Sequence, residues 1–392
     1  MSAPANLTVF FKGIRKNVVA LGVVSFFTDI SSEMLYPIIP IFLTSVLGAP
    51  MSVVGLIEGI AESTASVLKA FSGWLSDKIG KRKIFVVAGY SLSTIAKPLL
   101  FLAYVWPTVL AARFFDRFGK GLRTSAKDAI IADSCDAEYR GKAFGLQRAM
   151  DSLGACLGPL IALLLLNVFK ENLRVVFLIA FIPAAIAVAT LVIFVSEPKG
   201  LTRLANGFCL GPHCFSANFK KFLLVSSIFA IGNSSDAFLI LRCKNLGLST
   251  TLVILAYALY NFSYSALSVP FGVLSDKISR KIVLIAGFII FALVYFGFAA
   301  VKAAAWIWPL FFVYGFYIAI TDGVGKAFIT DMVGREYRGT ALGLYHCVTG
   351  FMTFFASLIA GLLWAHIGAG APFIYGAIMA ILSCAAFIML IR

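Results

Sequence analysis

The chain has 392 residues, of which 60% are hydrophobic, only 13% are charged and 37 are Phe. That is far more apolar material than a core of this size needs, and it excludes a soluble globular protein. The formal net charge is +15, but the cations are spread over many short loops, which argues against nucleic-acid binding.

Apolar runs about 20 residues long recur between short charged clusters, each able to cross roughly 30 Å of hydrocarbon as a helix. A membrane β-barrel would alternate polar and apolar residues instead. In chain order, twelve spans are expected at 17–46, 52–76, 84–105, 107–133, 140–167, 173–195, 219–242, 250–274, 282–301, 306–331, 338–366 and 371–391. The first begins too deep and runs too long for a cleavable signal peptide. With both termini cytoplasmic, the inner segments hold nineteen cations and the outer segments five, which satisfies the positive-inside rule. The expectation is an all-α, multi-pass protein of a bacterial plasma (inner) membrane, with the lipid bilayer as one partner.

Two halves repeat. "GWLSDKIGKRKI" at 73–84 lies over "GVLSDKISRKI" at 272–282, "AEYRGKAFGL" at 137–146 over "REYRGTALGL" at 335–344, and "ISSEM" at 30–34 over "NSSDA" at 233–237. A polar stretch, 196–218, links a first six-helix bundle, 1–195, to a second, 219–392. An even number of spans per half makes these pseudo-symmetric repeats parallel.

Gly73-x-Leu75-x-Asp77-Lys78-x-Gly80-Lys81-Arg82 resembles the loop signature of the major facilitator superfamily, and the second copy keeps Gly272, Asp276, Lys277, Arg280 and Lys281 with Ser279 in place of a glycine. The resemblance implies the major facilitator fold, alternating access about a central site, and a conformational latch made by Gly73, Asp77, Lys81, Arg82, Gly272, Asp276 and Arg280. "YPIIP" with Pro37 and Pro40, and "GACLGP" with Gly154, Gly158 and Pro159, resemble motifs of its drug and proton antiporters. They imply export. Ile161 and Ala162 stand where the antiporter motif closes with glycines; "RFGKGLRTS", from Arg117, resembles the Arg-x-x-x-Gly motif of helix four, with Lys120 and Arg123 in place of its usually uncharged residues.

Charges within the spans carry the functional reading. Each costs at least about 2.5 to 3.5 kcal/mol at the bilayer centre, so each should face a partner or a watery cavity. At 100° per residue, Arg113, Asp116, Arg117, Lys120, Arg123, Lys127 and Asp128 fall on one face of the fourth span. These cations have no charged counterparts in the second half, where Phe311, Gly315, Ile318, Thr321 and Gly325 take the places of Arg113, Arg117, Lys120, Arg123 and Lys127. The expected substrate and proton pathway comprises Asp29, Glu33, Glu58, Glu62, Arg113, Asp116, Arg117, Lys120, Arg123, Arg148, Asp151, Asp236 and Asp322. Glu33 has Asp236 as its counterpart across the repeat, whereas Asp29 lies over Gly232, which makes Asp29 the stronger functional candidate. Asp322 and Lys326 are spaced to pair along one helix, and His346 is more often a packing residue than a proton carrier. Cys209, His213 and Cys214 lack a further ligand nearby, so no metal is expected. No nucleotide-binding or nucleophile motif is present, which points away from an enzyme and from any cofactor.

The expected function is secondary active transport, proton-coupled, of a small polar solute bearing carboxylate or similar anionic groups, such as an organic acid or siderophore, by a monomer. Two alternatives stay open: a multidrug/proton antiporter for lipophilic or cationic compounds, and a receptor or scaffold that binds without transporting.

Overall fold

A computed structural model describes residues 15–135, 139–197, 215–334 and 338–391. Among them the chain forms α1 Lys16–Val46, α2 Met51–Ile79, α3 Lys83–Phe101, α4 Trp106–Asp133, α5 Arg140–Val168, α6 Leu173–Phe194, α7 Ala217–Asn245, α8 Thr250–Lys277, α9 Arg280–Ala300, α10 Ile307–Met332, α11 Arg338–His366 and α12 Ala371–Leu390. Eleven of these are long and apolar enough to cross a membrane. The exception is α4, whose 28 residues suffice in length but whose charges lower its hydropathy. It is shielded instead by packing on α2 and α3.

Three of the helices are interrupted where the sequence removes or diverts backbone hydrogen bonds. In α1, Pro37 and Pro40 lack the N–H groups that would reach back one turn, and the regular helix stops at Leu35, resumes at Ile38 and ends in a π turn, Phe42–Val46. The expected span 219–242 is likewise not one continuous helix. It stops at Gly232 and restarts at Ala237, because Ser and Asn side chains offer the backbone alternative partners: the Ser235 N–H donates to Ser357 Oγ at 3.2 Å, outside its own helix. Across the repeat, α1 and α7 are thus broken at matching places. In α6 the break is at Ala180, whose carbonyl accepts from Ser31 Oγ at 2.6 Å.

Within the first half α1 packs on α5 and α6, and α3 on α4; within the second, α8 and α9 pack on α10, and α12 on α7 and α9. The halves meet along α2 with α11 and α5 with α8. The first seam is close because it is made by glycines. A Cβ on Gly55 would overlap the Ser357 carbonyl oxygen and come within 3.1 Å of Gly361 Cα, and one on Gly59 would lie 2.9 Å from the Phe354 carbonyl oxygen.

The turns α2–α3 and α8–α9 lie at one end of the molecule, the basic end, where the two halves repeat each other's contacts. Arg82 pairs with Asp133 at the end of α4, and Arg280 pairs with Asp331 at the end of α10, Nη1 to Oδ2 at 2.6 Å in the second pair. Lys83 Nζ donates to the Val192 carbonyl at 3.0 Å, and Lys281 Nζ to the Ile391 carbonyl. Only the first half adds Glu197, whose carboxylate accepts the backbone N–H groups of Arg82 and Lys83 at 2.7 and 2.8 Å. Each motif therefore ties the start of one helix to the ends of two others. Gly73 packs toward Ser125 of α4, 3.1 Å from a would-be Cβ, and Lys81 is exposed. Asp77, Gly272 and Asp276 lie outside the described side chains, and Cys209, His213 and Cys214 outside the described residues.

Candidate functional site

At the far end, opposite these turns, the halves close on each other. Ile38, Ile39, Phe42 and Leu43 of α1, Ile57 of α2 and Phe238 to Leu241 of α7 are all within the buried core. Just beneath this plug, Glu58 is buried at 1% exposure and accepts from Arg113 Nε at 3.1 Å and from Arg113 Nη2 at 2.7 and 2.6 Å. It also accepts from Ser235 Oγ at 3.0 Å, across the interface between the halves. Tyr36 stacks on Tyr257 with ring centroids 5.4 Å apart, and the Arg113 and Arg117 guanidinium groups lie 5.7 and 5.8 Å from its centroid.

Between this seal and the basic end is a cavity of about 660 Å³, walled by α1, α2, α4, α5, α8 and α10, with Tyr90 of α3 at its edge. Apart from Tyr257 and Tyr260 of α8, which reach up to the seal, its lining residues lie in the half of each helix nearer the basic end or close to its middle, and Arg148, Asp322 and Lys326 at the mouth have side chains 53, 38 and 42% exposed. The cavity opens toward the basic end.

The ladder on α4 divides into a paired part and an unpaired part. Beside the seal, Arg113 pairs with Glu58, Asp116 with Lys97 (3.2 Å) and Arg117 with Glu62 (3.1 Å). Arg113, Asp116 and Arg117 border a pocket of only about 50 Å³. Nearer the mouth, Arg123 donates to Ser93 Oγ and lies over Tyr90 at 4.4 Å, and Lys127 donates to Ser25 Oγ at 3.1 Å. Lys120, and Lys69 opposite on α2, face the cavity with no side-chain hydrogen bond or ion pair among the described residues.

The carboxylates divide in the same way. Asp29 and Asp128 face the cavity without a hydrogen-bonded or ion-paired partner among the described residues. Glu33 accepts from Tyr257 OH at 2.8 Å and Asn261 Nδ2 at 3.5 Å, both from the other half. Asp151 accepts from Gln147, and Asp322 is shared by Lys326 at 2.8 Å and Arg148 at 3.5 Å. Asp236 lines none of these spaces; it accepts from Tyr314 OH at 2.6 Å, the same kind of bond that its counterpart Glu33 makes. Gly154 and Gly158 position both α1 carboxylates: a Cβ on Gly154 would lie 3.0 Å from Asp29 Cβ, and one on Gly158 2.8 Å from Glu33 Cβ. Helix five can approach α1 only with glycine at these two places, and Pro159 is buried beside them.

Lys69, Lys97, Lys127 and Lys326 belong to the site although the ladder reasoning gave them no pathway role. Tyr36, Ser235, Tyr257 and Asn261 carry no charge signal, but the repeat register does point at two of them, since Tyr257 and Asn261 lie over Glu58 and Glu62.

Two sets of helices closing at one end over a charged axial cavity are the form of a membrane transporter. The family model of the Major Facilitator Superfamily matches residues 21–240 and 222–392, and the chain belongs to that superfamily. It is 40% identical over 378 residues to an uncharacterized MFS-type transporter of Methanocaldococcus jannaschii, covering 94% of each chain. It is 25% identical over 207 residues to the quinolone resistance protein NorA of Staphylococcus aureus, covering 52% of each. Its fold superposes on the nucleoside transporter NupG with a TM-score of 0.76 at 14% identity, over 96% of this chain and 99% of that one.

Proposed function

We propose that the chain carries a small anionic organic solute, of the carboxylate or sulfonate kind, across the plasma membrane together with protons. All twelve helices span the bilayer in this reading, the basic end and both termini are cytoplasmic, and two six-helix bundles, 1–195 and 219–392, rock as a monomer about the cavity. The structure then corresponds to the inward-facing state. The observation that carries the proposal is Lys69 and Lys120 facing the cavity without an ion-paired partner among the described residues, with Asp29, likewise without one, on the α1 wall of the same cavity. Unpaired ammonium groups there are ready to hold an anion.

Asp29 is faced by Glu33 of its own helix, Lys120 and Lys127 of α4 and Asp151 of α5. Glu62 and Asp29 are the negative charges that offset Lys120; a proton on Asp29 removes one of them, so proton and anion strengthen each other's binding. That linkage favours co-transport, and hence uptake down the proton gradient, over the export implied by the helix-five motif. Gly154 and Gly158 are accounted for by their packing on α1.

The test is flux of permanently charged anions into proteoliposomes with an internal pH reporter, comparing wild type with Asp29→Asn and Lys120→Gln. Anion flux without proton movement removes the coupling, and normal anion flux in Lys120→Gln removes the anion site. The likeness to NorA supports a second reading, export of lipophilic cations in exchange for protons. In that case a cation and a proton would compete for Asp29, and the pH signal would have the opposite sign.

A further inference from the structure

Beside the charged cavity, inside the second half, lies a lobe of about 280 Å³ between α7, α9, α10 and α11. It joins the main cavity at Ile318, Asp322 and Lys326, which line both. Its walls are aromatic: Phe229 stacks on Phe288 at 4.4 Å, Phe222 on Tyr345 at 6.1 Å, and Tyr317 lies 5.8 Å from Phe229.

Its hydroxyls are mostly turned away. Thr321, Thr349 and Thr353 donate to carbonyls one turn back in their own helices, at 2.8, 2.7 and 2.9 Å, so their methyl groups remain for the lobe. Asn233 is engaged with Tyr317 OH at 3.1 Å. The His346 side chain has no hydrogen bond among the described residues and leaves its ring nitrogens for a polar substituent. An apolar space of about 150 Å³ suffices for a benzene ring, and this one is larger.

The repeat register sharpens the contrast. The positions of Lys120, Arg123 and Lys127 are taken in the second half by Ile318, Thr321 and Gly325, all three of which line the lobe. The first half thus offers cationic groups where the second offers an isoleucine, a threonine methyl and a gap.

We infer that the solute is two-ended: its anionic head sits against Lys69 and Lys120, and an aromatic limb reaches past the Asp322–Lys326 pair into the lobe. This rests on the anion reading above and adds to it a substrate class, the aromatic organic anions.

The experiment compares benzenesulfonate with methanesulfonate, both permanently charged so that neither leaks through lipid as a free acid, in wild type and Gly325→Leu. Gly325 borders the lobe, and a Cβ there meets nothing within 4 Å, so leucine at this position projects into empty space. Wild type should take benzenesulfonate with at least about a tenfold lower KM than methanesulfonate, the return expected from burying a ring among apolar walls, and Gly325→Leu should collapse that ratio toward one.

A ring preference absent in wild type, or one untouched by Gly325→Leu, overturns the inference while leaving the anion reading intact. Transport of aromatic cations in place of both sulfonates overturns the two together. Should Gly325→Leu not yield folded protein, thermal protection of the wild type by the same two sulfonates decides. Stronger protection by the ring-bearing compound supports the inference, and equal protection overturns it.

Discussion

Replacing Glu58 by Gln should destabilise the protein more than any other single change on the charged face. The carboxylate and its partner Arg113 are 1% and 4% exposed, and three N–H to O contacts between 2.6 and 3.1 Å join them. With so little water in reach, removing one charge leaves the other buried and uncompensated, at a cost of about 3 to 5 kcal/mol. At about 1.4 kcal/mol per factor of ten, the folded-to-unfolded ratio falls by roughly two to three and a half orders of magnitude. Removing both charges, in Glu58→Gln with Arg113→Met, should restore most of the loss, because neither buried charge then lacks its partner. The double-mutant cycle is read by SDS-driven unfolding in mixed micelles followed by tryptophan fluorescence. A Glu58→Gln cost below about 1 kcal/mol, the range of a solvent-exposed pair, would refute the assignment of this pair to the buried frame. So would a double variant as unstable as the sum of the singles.

Four further outcomes follow from the same geometry. Uptake of a permanently charged anion should rise as external pH falls, and Asp29→Asn should flatten that dependence while leaving stability nearly unchanged; flux measured across a series of imposed pH gradients checks this. Lys120→Gln should raise the KM for anions by about tenfold or more, as expected for a lost charge-assisted bond of about 1.5 to 3 kcal/mol, and initial-rate kinetics would show it. Glu197→Ala removes a carboxylate that accepts two backbone N–H groups at the start of α3 and should cost about 1 to 3 kcal/mol in the unfolding assay. Gly55→Leu places a side chain against the Ser357 carbonyl and Gly361; it should cost about 1 to 3 kcal/mol or more by overpacking and lower the yield of monodisperse protein on size-exclusion chromatography.

Much of the frame was legible because membrane insertion writes itself into composition. Helix limits fell within a few residues of the hydropathy runs, since each run has to be apolar for the length of a bilayer. The break in α7 was not visible in that signal: Gly232, Asn233, Ser234 and Ser235 are neutral and do not interrupt an apolar window. The charged face of α4 was legible as a face, but its division was not. Whether Arg113 or Lys120 is the paired member depends on Glu58 and on Glu62 and Asp29 acting on Lys120 without forming a direct ion pair with it among the described residues, and both depend on how α1 and α2 seat against α4. Asp236 was expected in the pathway by likeness to Glu33; its bond to Tyr314 could be found only by bringing α7 and α10 together. The aromatic lobe was hidden for a related reason, because Phe residues at helical spacing read alike whether they meet lipid, another helix or a cavity.

The repeat separates frame from chemistry in this molecule. Contacts present in both halves hold each half together: Arg82 with Asp133 and Arg280 with Asp331, and Lys83 and Lys281 on the chain ends of α6 and α12. A rocking transporter needs two such rigid bodies of similar build. What the second half lacks is every cation on α4 that faces the cavity unpaired or bound only to a hydroxyl, Lys120, Arg123 and Lys127, and the aromatic lobe is built by the second half. A substrate held by contacts from both bodies can register the movement of one against the other, whereas a substrate held by one body alone would travel with it. In the proposed two-ended mode, an ionic contact in the first half and an apolar contact in the second would make occupancy of the cavity sensitive to how far apart the halves stand. Glu33 spans the same gap through Tyr257 and Asn261, so the gap that a two-ended solute would bridge is already measured by a carboxylate one turn from Asp29.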